Sequence, residues 1–258
     1  MYRKLRIGLV IPARDEALAI GGVVCGLLAL TGDSGLVVDA LVVCDNGSSD
    51  GTGALAVAAG ASVVTQSLPG YGRACLTALA ALPVVDVVVF VDGDRSVRPE
   101  QTLRLLDAIA AGADLAIGAR TLGTVEAGAL TVPQRFGNAL AVGLIRLGWG
   151  VRFVDLGPFR AIGSNALATL QMQDETYGWT VEMQVKAMQR GLRVVEVPVD
   201  SLCRLGRSKI SGTVRGVIGA GIGIISMILR LKWRERQLAR PGVAAFVRPV
   251  VSLPESKP

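Results

Sequence analysis

Apolar, β-type residues in the first half of the chain fall in short runs, at 7–11, 41–44, 62–65 (two valines between Ser62 and Thr65), 87–91 and 115–117. Runs of this length without alternation predict strands buried on both faces, the habit of a parallel sheet covered by helices. Between them, apolar positions recur at helical spacing and predict helices near 19–30, 52–59, 73–82 and 100–111. Strand and helix in turn predict a doubly wound α/β architecture with a mostly parallel sheet. Ligands bind such a fold where strand carboxyl ends meet helix N-termini. The second half is less regular. Helices are predicted near 134–147 and 180–190, a turn or strand at 157–161, and a strand at 193–199. An uncharged stretch at 217–229, flanked by Arg215 and Arg230, is shorter than the about 20 residues a bilayer span needs. It predicts a core helix or an apolar or amphipathic helix lying in a membrane interface, with Trp233 at headgroup level. The expected divisions are an α/β domain at 1–212, its two halves meeting near 120, a basic helix at 213–240 and a loose tail at 241–258.

Polar residues cluster where the predicted strands end. Asp92-Gly93-Asp94 follows the run 87–91, and two carboxylates one residue apart suit Mg²⁺ or Mn²⁺ bridging a diphosphate. The alternative is a solvated turn. Asp45 opens the segment 45–52, which reads as a turn with Asp50 or Thr52 capping a helix, or as a site where Asp45 bonds a nucleobase or ribose. Gly70-Tyr71-Gly72-Arg73-Ala74 opens a helix. It is either loop punctuation or a place where a nucleotide approaches the backbone and Arg73 meets phosphate or ribose.

Composition narrows the chemistry. The 258 residues are 51% hydrophobic, enough for a full core, and contain no histidine. Every imidazole mechanism is thereby excluded, leaving carboxylates, a metal or the substrate's own charge. Cys25, Cys44, Cys75 and Cys203 form no metal-type spacing and read as small core residues in a reduced compartment. The first apolar run is too short for a secretory leader, which predicts a cytoplasmic location. The net charge of +6 is uneven: residues 201–240 carry nine basic residues against Glu235, a net +8, leaving −2 elsewhere. The segment has no nucleic-acid recognition motif, so an anionic lipid surface or a phosphate-bearing substrate is the expected partner, not nucleic acid.

Taken together, the segments 10–16, 43–52, 70–74 and 92–94 resemble the family-2 glycosyltransferases of GT-A fold, in order and spacing, over roughly the first 120 residues. The resemblance implies that Pro12, Asp15, Glu16 and Asp45 line a nucleotide pocket, together with Gly70, Arg73 and Gly93. It also implies that Asp92 and Asp94 hold a metal–diphosphate. The family usually has a second acid where Asn46 stands, and often Lys at the position of Arg73. Asp155-Leu156-Gly157-Pro158-Phe159-Arg160-Ala161 is similar to the acceptor segment of polyprenyl-phosphate glycosyltransferases, dolichyl-phosphate mannose synthase among them. The segment 177–183 resembles the helix that carries an acidic residue, here Glu182. Arg204-Leu205-Gly206-Arg207-Ser208-Lys209 resembles a segment that meets the donor diphosphate and acceptor phosphate.

The implied activity is transfer of a sugar from a UDP- or GDP-sugar to a polyprenyl phosphate at the inner face of a membrane, with inversion at the anomeric carbon. An ionised phosphate acceptor needs no strong base. A hydroxyl acceptor needs one, with Glu182 the first candidate and Asp155 the second. Arg160, Arg204, Arg207 and Lys209 are the expected phosphate ligands. A nucleotidyltransferase is disfavoured because the first loop has no glycine, and a non-catalytic nucleotide-binding protein is the other alternative.

Overall fold

The computed structural model describes residues 1–33, 35–206, 214–238 and 251–252. The chain begins with β1 (Ile7–Ala13) and α1 (Ile20–Leu28), then a two-stranded hairpin, β2 (Thr31–Gly32) and β3 (Gly35–Leu36). It continues through β4 (Ala40–Asp45), α2 (Thr52–Ala58), β5 (Ser62–Thr65), α3 (Tyr71–Ala81) and β6 (Val87–Phe90). Next come α4 (Thr102–Ala110), β7 (Leu115–Ala119), α5 (Val132–Trp149), β8 (Arg160–Gly163) and α6 (Ser164–Leu170). The last elements are α7 (Trp179–Gln189), β9 (Val194–Pro198), α8 (Val214–Leu238) and β10 (Val251–Ser252).

The main sheet has the order β10-β9-β7-β8-β6-β1-β4-β5. All its pairings are parallel except those of β8, which runs antiparallel to both β6 and β7. Every residue of β1, β6 and β7 is buried, as continuous apolar runs require in a sheet covered on both faces. β5, at the edge, is partly open. Successive β1 residues feed opposite layers. Leu9 and Ile11 join Leu27, Leu105 and Leu106 under α1 and α4, whereas Val10 joins Cys75, Ile145 and Trp179 under α3, α5 and α7. Phe90 meets Trp179 edge-on, ring centroids 5.8 Å apart, tying the central strand to α7.

Helix ends follow local signals where these are strong. α5 starts at a capping box in which Thr131 and Gln134 satisfy each other's backbone groups, and stops at Gly150 with φ 74°. α8 is longer than its uncharged stretch. Its Met227, Ile228 and Leu231 are buried in the layer shared with α5 and α7, while Ile222, Ile225, Leu229 and Trp233 face outward. No helix among the described residues is long and apolar enough to cross a membrane. One expectation changes. Cys44 and Cys75 are core residues, but Cys25 and Cys203 are exposed. The loose tail lies outside the described residues except for Val251 and Ser252, which pair with β9.

Candidate active site

The carboxyl ends of β1, β4, β6 and β7 open on one edge of the sheet. Because β8 runs the other way, its entry lies at that edge too, with Arg160 opposite Phe90 and Ile117. The first two loops are knitted together. The Asp15 N–H donates to Ser48 Oγ (2.9 Å), and the Asp15 carboxylate accepts from the Ser49 N–H (2.8 Å). Glu16 N–H donates to Thr52 Oγ1 (2.8 Å), and Asp45 accepts from the Ser48 N–H (2.9 Å). Asp15 sits at φ 49°, a left-handed conformation that side-chain-bearing residues adopt only where their surroundings hold them. Pro12 is buried in β1 opposite Cys44, so what it contributes is the backbone leading to Asp15 and Glu16.

Asn46, the departure from the family pattern, has a structural cause. Its amide donates to the carbonyls of Gln66 (2.8 Å) and Leu68 (2.7 Å), and its oxygen accepts from the Gly70 N–H (2.9 Å). An ionised carboxylate has no donors and cannot make the first two bonds.

At the end of β6, Asp92 is half-buried and Asp94 nearly fully so, with Gly93 packed between Ile20 and Ala13. Tyr71 Oη donates to Asp92 (3.1 Å). One Asp94 oxygen accepts from the Ser96 N–H (2.9 Å), and the other faces Arg204 at 3.6 Å. Arg204 also donates to Glu16 (2.6 Å), and its buried Nε has no hydrogen-bond partner among the described residues. Burial and the adjacent Asp94 charge push the Asp92 carboxyl up to about 7, against the pull of Tyr71, Arg204 and Arg120. Two crowded carboxylates whose repulsion a cation would relieve are a fitting hard-oxygen pair for Mg²⁺ or Mn²⁺. Among the described residues no cluster of three or more His, Cys, Asp or Glu surrounds them. Most coordination positions would fall to diphosphate and water, as Mg²⁺ prefers. Arg207 and Lys209 lie outside the described residues.

Five residues of the expected site, Gly70, Arg73, Asp155, Arg160 and Glu182, are engaged by the protein itself. The glycines of the 70–74 loop admit protein, not nucleotide: a Cβ on Gly70 would lie 2.2 Å from the Glu175 carbonyl oxygen, and one on Gly72 2.0 Å from that of Asp174. The Gly72 and Arg73 N–H groups donate to Thr176 and Glu175, and the Arg73 guanidinium pairs with the Glu175 carboxylate. Glu182 is 1% exposed; it accepts from the Gln173 and Asp174 N–H groups and pairs with Lys186 at 2.6 Å. Asp155 is fully buried and accepts three bonds from Arg120, through its backbone N–H, Nε and Nη2, at 2.7 to 2.9 Å. Arg160 is equally buried, donating to Gly157, Thr180 and Gln184, and burial pulls its guanidinium down to about 10. All three side chains are buried and bonded to protein groups, and Asp155 alone of them stands in the wall of a cavity.

That cavity has a volume of about 560 Å³. Arg120, Gln134, Arg135, Asn138, Val142 and Val154 are among its walls. Arg120 links it to the acidic pair: burial pulls its guanidinium down, but its bonds to Asp155, with the charges of Asp155, Asp92 and Asp94, raise it above the usual value. Arg120 and Arg135 escaped the sequence reading. The signal for Arg120 was present, since it directly follows a buried strand, as Asp45 and Asp92 do. Arg135 had none, because a cation in a first helical turn is usually solvated.

The family model described as Glycosyl transferase family 2 matches residues 9–168. A dolichyl-phosphate hexose transferase of Haloferax volcanii is 30% identical over 230 residues, covering 88% of this chain and 96% of that protein. A polyprenol monophosphomannose synthase of Mycolicibacterium smegmatis is 34% identical over 188 residues, covering 67% and 71%. Among solved structures, glucosyl-3-phosphoglycerate synthase from Mycobacterium tuberculosis in complex with Mn²⁺, UDP and glucosyl-3-phosphoglycerate superposes with a TM-score of 0.67 at 23% identity, covering 89% and 81%. At that identity the likeness is one of fold.

Proposed function

The chain belongs to glycosyl transferase family 2, and on that premise we propose that it moves a hexose from a UDP- or GDP-sugar to a polyprenyl phosphate at a membrane surface. The observation that carries this reading is the arginine-lined cavity whose Arg120 follows β7 on the edge where β4 and β6 also end, and feels the charges of Asp92 and Asp94. Arg120 and Arg135 would bind the acceptor phosphate there, and Asp15, Glu16 and Asp45 would frame the nucleotide. Asp92 and Asp94 would hold Mg²⁺ or Mn²⁺, which when bound offsets the charge growing on the departing diphosphate. Arg204, already beside Glu16 and Asp94, is within a side-chain movement of that diphosphate.

The burial of Glu182 and Asp155 supports a phosphate acceptor over a hydroxyl one. A phosphate oxygen is ionised at neutral pH and attacks C1 without a base, whereas a hydroxyl needs a proton acceptor that neither residue offers. Attack from the face opposite the diphosphate inverts C1. The names of the curated relatives favour a lipid-borne phosphate. The outward face of α8 supplies the means to reach it: Ile222, Leu229 and Trp233 are exposed beside exposed Arg230, Arg234 and Arg236. Lys232 differs, being over the Trp149 ring and paired with Glu235.

A second reading, a soluble phosphate-bearing acceptor, is favoured by a local match. A glucosyl-3-phosphoglycerate synthase of Mycolicibacterium paratuberculosis is 47% identical over 96 residues, 34% of this chain. One assay separates them. Radiolabelled UDP- and GDP-sugars are offered with undecaprenyl phosphate in vesicles or with 3-phosphoglycerate, with Mn²⁺ or EDTA. Metal-dependent label in the lipid phase alone supports the lipid acceptor, label in 3-phosphoglycerate supports the second reading, and label in neither overturns both.

A further inference from the structure

The cavity arginine is held by a buried relay that reaches across the second half of the fold. Arg120 has five N–H donors in a rigid plane, and two of them, on Nε and Nη2, go to the two oxygens of Asp155 at 2.9 and 2.7 Å. The remaining donors belong to a side chain that is one-fifth exposed and lines the cavity. Asp155 in turn cannot shift. Its N–H and that of Val154 donate to Glu196 on β9 (3.0 and 2.9 Å), and its carbonyl accepts from Gln184 on α7 (3.0 Å). Gln184 is itself held by Arg160 (2.6 Å). On the cavity side, Asn138 of α5 donates to the Val154 carbonyl (3.0 Å) and accepts from the Leu156 N–H (2.9 Å).

Stability alone is a poor reason for this arrangement. A buried Asp–Arg pair seldom outperforms apolar residues of the same volume, because two charges must be stripped of water. The cost is explained if the orientation of the guanidinium matters, since a fork fixed before binding loses less freedom on taking a phosphate. We propose that Asp155, held by Glu196 and Gln184, is a positioning residue that presents Arg120 to the acceptor phosphate. The proposal rests on the reading of the cavity as the acceptor-phosphate site. Asp155 stands in the cavity wall but is fully buried, with both carboxylate oxygens taken by Arg120, and acts through Arg120.

The test is a double-mutant cycle on the full chain. Asp155→Asn should raise the KM for the phosphate acceptor roughly tenfold, the loss of one charge-assisted bond's alignment, with kcat at saturating acceptor and UDP affinity little changed. In an Arg120→Ala background, the same Asp155→Asn change should raise KM no further. Additive losses in the cycle, or equal losses of UDP affinity and acceptor binding, would overturn the proposal in favour of a structural role. Where Asp155→Asn does not fold, Glu196→Gln replaces it in the same cycle, with a smaller KM increase expected and the same criterion applied. If the wild-type chain transfers to no phosphate acceptor, the functional reading fails first, and the relay is judged by calorimetry with inorganic phosphate. Weaker binding in the variant then supports it; equal binding, or none in either protein, overturns it.

Discussion

The acids of the first half and those of the second half are the same chemical groups in opposite surroundings. Asp92 and Asp94 stand where a buried parallel strand ends, crowded together and facing Arg204 across the sheet edge. Asp155 and Glu182 are instead covered by protein, and each carboxylate is spent on backbone N–H groups and a cation, Arg120 for Asp155 and Lys186 for Glu182. A carboxylate's residue type and neighbours along the chain therefore do not distinguish chemistry from scaffolding. What packs over it does.

The largest effect that sharpens this contrast is expected at Asp94. Asp94→Ala should eliminate metal-stimulated transfer, a loss on the order of 100-fold or more. Its melting temperature should stay near that of the wild type, since among the described residues the Asp94 carboxylate accepts from the Ser96 N–H and faces a partly exposed arginine. Near-normal Mn²⁺-stimulated turnover in this variant would remove the acidic pair from the reaction.

Glu182 should show the reverse. Glu182→Ala leaves Lys186 buried without its partner and strands the Gln173 and Asp174 N–H groups, a destabilisation of about 3–5 kcal/mol by denaturant titration. The milder Glu182→Gln should keep kcat within a few-fold. A folded Glu182→Gln protein that has lost transfer would break the comparison and restore Glu182 as a base.

Asp92 makes the contrast depend on pH. Its carboxyl titrates near 7 in the folded chain against an ordinary 3.8. Between those values the unfolded chain has lost the proton that the folded one keeps, so stability falls as pH rises through this window and the full penalty stands above about 7. Without metal, Asp92→Asn should therefore raise the melting temperature at pH 8 and leave it nearly unchanged at pH 4. A divalent cation competes for the same carboxylate, so Mn²⁺ affinity should fall as pH drops below about 7, approaching tenfold per unit. Calorimetry in the presence of UDP measures this, and a flat profile would contradict the assignment of Asp92 as a ligand.

The smallest effect is expected at Arg73, which resembles a nucleotide ligand in sequence but pairs with Glu175 in a largely exposed position. Arg73→Ala should change stability by less than about 1 kcal/mol, with UDP affinity altered less than about twofold. A tenfold loss of UDP binding would return Arg73 to the nucleotide site.

Four first-half strands were legible because burial on both faces leaves a mark in the chain itself, an unbroken apolar run; the fifth run, Ser62–Thr65, has two valines between polar residues and becomes the open edge strand β5. α6, only seven residues long, and the hairpin at 31–36 left no such mark, being too short to establish a period. The direction of β8 was equally hidden. Hydrophobic pattern carries no polarity, and only the antiparallel pairing brings the loop before β8 to the same edge as Asp92.

The sequence by itself therefore determined the sheet, the placing of Asp45, Asp92 and Asp94 at strand ends, and membership in the family. Each depends on short stretches whose meaning is local. Only the tertiary structure decided that Asn46 shapes a loop, that Gly70 and Gly72 admit the 174–175 backbone, and that Asp155, Arg160 and Glu182 are buried supports. It also brought Arg120 and Arg135 to one cavity. These outcomes depend on partners far away in the chain, such as Arg120 and Glu196 for Asp155, because a charged group's freedom is set by the dielectric and the donors that surround it after folding.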